Sequence, residues 1–145
     1  MHTMQNTPKI LTFIGIFFDF FGTLMLALSA YIFRVVFTEE FFADIVPPED
    51  IGEIQEIVDI YQVVGNVMIV FSMIMVVIFV INLIVNLKLI RGKLTEEQAK
   101  TAYTYQLFIG IVLLLLNTIS GIVYIVSGIK GRDNEPDKID TRVGI

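Results

Sequence analysis

Apolar residues run almost without charge from Ile10 to Phe37, from Ile60 to Leu87 and from Thr101 to Ile129. At ~1.5 Å rise per residue, a helix needs ~20 apolar residues to cross a ~30 Å hydrocarbon layer. Each run exceeds that length. The pattern therefore predicts a single membrane domain over 1–145, with spans over about 10–37, 60–90 and 101–129. The surplus length implies tilt or extension past the lipid. The expected fold class is all-α: an integral membrane bundle of three helices with a short extracytoplasmic helical cap between the first two. The first run follows Lys9 and passes Ala27-Leu28-Ser29-Ala30, a loose match to a signal cleavage site. It is longer than the ~7–15-residue core of a signal peptide and carries Asp19, which favours a retained anchor.

The connections differ in charge. Segment 38–59 holds Glu39, Glu40, Asp44, Glu49, Asp50, Glu53, Glu56 and Asp59, and no basic residue. Pro47-Pro48 splits it, because proline blocks helix continuation and extends the residue before it. Thr38 is placed to cap a short helix ending near Val46. After the prolines, Ile51, Ile54, Ile57, Val58 and Tyr61 recur at helical spacing, giving an amphipathic helix that either runs into the second span or lies flat on the lipid. Its acidic character favours packing against protein. The second span stops at Lys88 to Lys93 with Gly92, and Thr95-Glu96-Glu97-Gln98 reads as a capping box. Tyr103 and Tyr105 suit the membrane interface. Residues 130–145 mix both charges without an apolar pattern and are expected to be a flexible tail.

Lys and Arg concentrate on the cytoplasmic side of spans. Lys9, Lys88, Arg91, Lys93 and Lys100 therefore put the N-terminus and the second loop in the cytoplasm of a multi-pass plasma-membrane protein, with the acidic loop outside. Three full spans then send the tail outside, although it carries Lys130, Arg132, Lys138 and Arg142. Three spans are the favoured reading. The alternative is a re-entrant hairpin that turns at Asn117-Thr118-Ile119-Ser120-Gly121.

Small and polar residues form stripes. Gly15, Asp19, Gly22 and Ser29 lie on one face of the first span; Gly65, Ser72, Phe79 and Asn86 are seven apart on the second, with Asn82 nearby; and Gly110, Asn117, Gly121 and Gly128 share a face of the third. Such residues let helix backbones approach, so that close packing replaces the hydrophobic force lipid cannot supply. A carboxyl inside a span is costly, which singles out Asp19. Asn82 or Asn86 reaches similar depth and offers an amide donor. The site is read as a packing lock, with an ion or proton relay, or contact with another protein's basic residue, as alternatives. Asn117 is expected to hydrogen-bond across helices, and Arg34 to reach head groups or the acidic loop.

Composition agrees and narrows the chemistry. The 145 residues are 55% hydrophobic with a net charge of −5. Cysteine is absent and His2 is the sole histidine, in a terminus expected to fray. No catalytic residue, metal site or cofactor is expected: there is no phosphate loop, no zinc-protease helix motif and no nucleophile–base pair. The acidic balance disfavours nucleic acid. The expected partners are the lipid bilayer and another membrane protein or a homo-oligomer. The leading expectation is a non-enzymatic accessory, regulatory or scaffold subunit. A small oligomeric cation or proton channel using Asp19, and a holin or immunity-type membrane protein, are the alternatives.

Overall fold

The computed structural model describes residues 1–47, 49 and 51–133, except for the side chain of residue 51. Among these, five α-helices form and no strand: α1 (Asn6–Tyr31), α2 (Glu39–Ala43), α3 (Ile51–Ile90), α4 (Glu96–Leu116) and α5 (Thr118–Asp133). A wider π turn, Ile32–Val36, continues α1 and ends where Phe37 N–H donates to Ile32 O at 3.1 Å. Three helices are long and apolar enough to cross a membrane: α1 with its π turn, α3 and α4. The chain divides into two compact units, Met1–Asp19 with Val80–Ile145, and Phe20–Phe79. Helices α1 and α3 contribute to both.

Local chemistry sets the helix ends. Thr95 Oγ1 accepts from Gln98 N–H at 3.3 Å while Gln98 Oε1 accepts from Thr95 N–H at 3.1 Å, so the capping box closes. Gly92 ends α3 at φ +64°, where a side chain would be strained. The amphipathic stretch after Pro47 is no surface helix of its own; α3 runs on as one helix into the apolar run. Segment 38–46 is helical only over α2, with Thr38 as N-cap. Lys130 to Asp133, expected in the tail, form the last turn of α5, and the remainder of the tail, with Pro48 and Asp50, lies outside the described residues.

The third run is the main correction. Residues 101–129 are not one helix. The helix breaks at Asn117 (φ −150°, ψ 86°), and α5 returns along α4 as a tightly packed hairpin. Asparagine favours such a break because its side chain competes for backbone groups. Here Asn117 Oδ1 accepts from Ser120 N–H and Asn117 O accepts from Gly121 N–H at 2.9 Å, which starts α5. Thr118 Oγ1 donates to Leu114 O at 3.0 Å, helping to satisfy the end of α4. Glycines let the arms touch. A Cβ on Gly121 would lie 2.6 Å from Leu114 N, and one on Gly128 would lie 2.7 Å from Tyr103 O.

In the Phe20–Phe79 unit, Tyr61 is the hub of an aromatic cluster. Its ring centroid lies 5.0 Å from Phe37, 5.3 Å from Phe33 and 5.4 Å from Phe42, the last pair stacked. These contacts tie α2 and the π turn to α3. Truncating Tyr61 to alanine removes three ring pairs, each worth ~0.5–1.5 kcal/mol beyond buried area. The expected result is a loss of roughly 2 kcal/mol, read as a lower thermal midpoint of helical circular dichroism in lipid vesicles. Arg34 meets no described carboxylate: it donates to Gln62 Oε1. Its stem fills the space over Gly65, where a Cβ would lie 2.9 Å from Arg34 Cγ.

Candidate functional site

The first unit contains a ladder of polar side chains inside an apolar bundle. Helical spacing builds it: Thr12, Gly15 and Asp19 share a face of α1, Asn82 and Asn86 a face of α3, and Ser120, Tyr124 and Ser127 a face of α5. Tyr105 and Gln106 come from α4. Thr12, Asp19, Asn82, Asn86, Gln106, Ser120, Tyr124 and Ser127 are fully buried. Buried polar groups in hydrocarbon must find partners, and most of these do.

At the deep rung, Asn82 Nδ2 donates to Asp19 Oδ2 at 2.8 Å, and Asn82 Oδ1 accepts from the Tyr105 hydroxyl. One amide thus serves a carboxyl and a phenol from two other helices. One turn along, Gly15 leaves no side chain, and the Tyr124 ring fills the space at 2.7 Å from where a Cβ would stand. Ser120 Oγ donates to Gly15 O at 3.4 Å. Asn86 Nδ2 and Tyr124 Oη are buried beside each other, without a hydrogen bond of good geometry among the described residues.

The third rung is a closed ring. Gln106 Nε2 donates to Asn86 Oδ1 at 2.8 Å and to Thr12 Oγ1 at 3.0 Å. Ser127 Oγ donates to Gln106 Oε1 at 2.9 Å and lies 3.0 Å from Thr12 Oγ1 and 3.2 Å from Pro8 O. With Thr12 donating to Ser127, every member of the ring both gives and receives, and such chains polarise one another. Beyond Pro8 the unit opens into a pocket of about 240 Å³ lined by His2, Gln5, Pro8, Glu96, Tyr103 and Gly131, among others. His2 is not frayed there. Its N–H donates to Leu94 O at 2.8 Å, Nδ1 meets Glu96 Oε2 at 2.9 Å, and Nε2 meets the Tyr103 hydroxyl at 3.1 Å.

The sequence-derived residues divide as follows. Asp19, Asn82 and Asn86 come together in the ladder. Asn117 sits at the hairpin tip and donates from Nδ2 to Phe18 O at 2.8 Å. Gly15, Gly110, Gly121 and Gly128 are at close contacts of the same unit. In the other unit Gly65 packs on Arg34, Ser72 is buried with no partner for Oγ among the described residues, and Gly22 is half-buried. Ser29 does not lock helices together: it donates to Met25 O of its own helix at 2.8 Å. Tyr105, expected at the interface, reaches the deep rung instead.

No known protein family, curated protein or solved structure matches this chain. What the ladder can do rests on its own geometry. Thr12, Gln106, Tyr124 and Ser127 were not singled out from the sequence. The available signal was weak: polar residues at helical spacing inside apolar runs, with Ser120, Tyr124 and Ser127 on one face. Among the described residues, no group of three or more His, Cys, Asp or Glu side chains is placed to hold a metal ion.

Proposed function

We infer that the chain is a non-enzymatic subunit of the plasma membrane, with two full spans and a re-entrant hairpin, that packs against a transmembrane helix of a larger membrane protein or of a second copy. The observation that carries this reading is the surface of the Phe20–Phe79 unit. Its second half of α1 and first part of α3 border an open groove of about 630 Å³, lined by Ala27, Ala30, Tyr31, Arg34 and Val35 on one side and Ile69, Ser72, Met73, Val76 and Val77 on the other. Alanine and serine at its floor permit close helix approach, and the buried Ser72 hydroxyl has no hydrogen-bond partner among the described residues. The ladder supports the same reading from the other direction, since its hydrogen bonds run between helices of this chain. Asp19 and Asn82 are fully buried within one chain and do not line an outer face, which argues against a pore formed between copies.

Helix lengths support this topology. Helix α4 as a whole is long enough to cross, but its uncharged part, Thr101–Leu116, extends ~24 Å and that of α5, Thr118–Ile129, ~18 Å at ~1.5 Å per residue, which favours a hairpin that turns back within the lipid. The hairpin tip meets Phe18, which lies ~14 Å along α1 from Lys9, near mid-bilayer. A re-entrant hairpin returns Lys130 and Arg132 to the side of Lys9, Lys88, Arg91, Lys93 and Lys100, and removes the charge conflict of three full spans. The acidic segment then lies outside.

Two measurements test the proposal. Epitope tags before Met1 and after Ile145 should be reached from the same side of sealed membranes; access from opposite sides would defeat the hairpin topology. Because the chain has no cysteine, single cysteines at Ala27 and Met73 give clean cross-linking. A stoichiometric cross-linked species, lost on Ala30→Phe, is expected in native membranes. A monomer insensitive to both would defeat the docking role.

A further inference from the structure

We propose that the outward face of α3 is a second docking surface, for a transmembrane helix of another protein that carries Lys or Arg just outside the lipid. This face lies beside the α1–α3 groove, and its use does not depend on what fills that groove. Within the Phe20–Phe79 unit, Ile60, Val63, Val67, Val70, Ile74 and Val77 follow one another at alternating steps of three and four. That is the 3.5-residue period of a left-handed helix–helix seam. A straight helix lying only against lipid drifts off such a line by ~20° per heptad and needs no such regularity. All six residues are β-branched, whereas the exposed positions beside them are mixed: Asn66, Phe71, Met73 and Val76. Each of the six is between 45% and 62% exposed, so the described chain leaves the ridge uncovered. Val and Ile hold essentially one rotamer in a helix, so the ridge loses little side-chain freedom on docking. Two shallow hollows of about 290 Å³ lie along it, one containing Ile60 and Val63 and the other Ile74 and Val77. They suit side chains of a facing helix.

Two further observations say what covers the ridge. First, lipid tails do not reach its outer end. Ile60 stands 28 residues before Lys88. That is ~42 Å along the helix, whereas the hydrocarbon layer is ~30 Å thick and ordinary tilt lengthens the path by only a few Å. Ile60 and Val63 are nonetheless 62% exposed. Second, the same rhythm of three and four continues outward through Glu56 and Glu53, both exposed. Neither takes part in an ion pair among the described residues. Copies of one chain share an orientation in the membrane, so a seam between two copies would set Glu53 against Glu53 and Glu56 against Glu56. Like charges so opposed are costly. A foreign helix with Lys or Arg at those two positions turns the same contacts into attraction.

Peptide association in lipid vesicles tests this. The chain has no cysteine, so Gly52→Cys, at a position where a Cβ meets nothing within 4 Å, takes a donor dye on the acidic side. The probes are two synthetic transmembrane helices with the same valine–isoleucine seam and an acceptor dye. One carries two lysines at the positions facing Glu53 and Glu56, the other two glutamates. The lysine peptide should associate roughly tenfold more tightly, because two exposed pairs change from repulsion to attraction, and the gap should narrow in high salt. The Glu53→Lys, Glu56→Lys double variant should reverse the preference. Val70→Phe, at an exposed site, should weaken association with helical circular dichroism unchanged. Equal association of both peptides, or energy transfer no greater than to a polyleucine helix, would overturn the proposal and leave the face to lipid. Transfer between labelled copies without peptide, removed by Val70→Phe, would overturn it in favour of a second copy. Association lost in Ala30→Phe would overturn it by placing the peptide in the groove, whereas failure of the groove cross-link would overturn the groove reading alone.

Discussion

Gly121→Leu should prevent α5 from folding back on α4. At this position the obstacle is backbone: a single Cβ would stand 2.6 Å from Leu114 N and 2.7 Å from Gly110 O. A flexible side chain can swing away from an intruding atom, whereas two helix backbones can only separate. Overpacking a well-packed site costs ~1–3 kcal/mol, and a clash with main chain belongs at or above the upper end of that range. Separating the arms also loosens the tip, where Asn117 satisfies the Ser120 and Gly121 amides. The expected outcome is a drop in thermal midpoint larger than that of any other single substitution in the hairpin, together with new labelling of a cysteine placed at Leu113, which is fully buried in the parent. Unchanged protection of that cysteine would show that the arms do not depend on this contact.

Asn82→Leu should have the second-largest effect. The amide has two clients, the Asp19 carboxyl and the Tyr105 hydroxyl. Interhelical hydrogen bonds in membranes average only ~0.6 kcal/mol, because the separated helices also find partners in the lipid-embedded state. That figure describes removing an ordinary pair. Here leucine would remove one hydrogen bond from a carboxyl and one from a phenol at once, at ~1–3 kcal/mol for each. We expect a loss of about 3 kcal/mol. Asp19→Asn, which keeps a polar acceptor opposite the amide, should cost about 1 kcal/mol. Reversible unfolding of the reconstituted protein measures both, and equal losses for the two substitutions would contradict the account of Asn82 as a shared donor and acceptor.

Much of the helical architecture was legible in the sequence, and the limits have definite causes. Length and hydropathy located three long apolar helices, because a run of uncharged residues has few other physical solutions. The Thr95–Gln98 box was legible because its two hydrogen bonds depend only on local spacing. Counting residues inward from opposite ends of antiparallel helices brought Asp19 to the depth of Asn82 or Asn86, and the structure pairs it with Asn82. The break at Asn117 was not decided, since apolar residues continue on both sides of it and hydropathy does not register backbone direction. The charges on the tail were the better clue. Tyr105 and Tyr124 were obscure for another reason: a tyrosine near a span end suits the interface as well as the interior, and only the partner across the helix pair distinguishes them. His2 was missed because nothing local ties a chain terminus to a residue 94 positions away.

The hairpin also has a consequence for biogenesis. Helices α1 and α3 are more apolar than α4 and can enter lipid as independent segments, in the manner of two-stage assembly. The two short arms depend instead on a carbonyl of α1 and on ring partners contributed by the N-terminal residues. They are also synthesised after α1 and α3. Insertion of α4 and α5 should therefore wait for the first helix to be seated, and a chain that lacks α1 should leave the hairpin outside the bilayer.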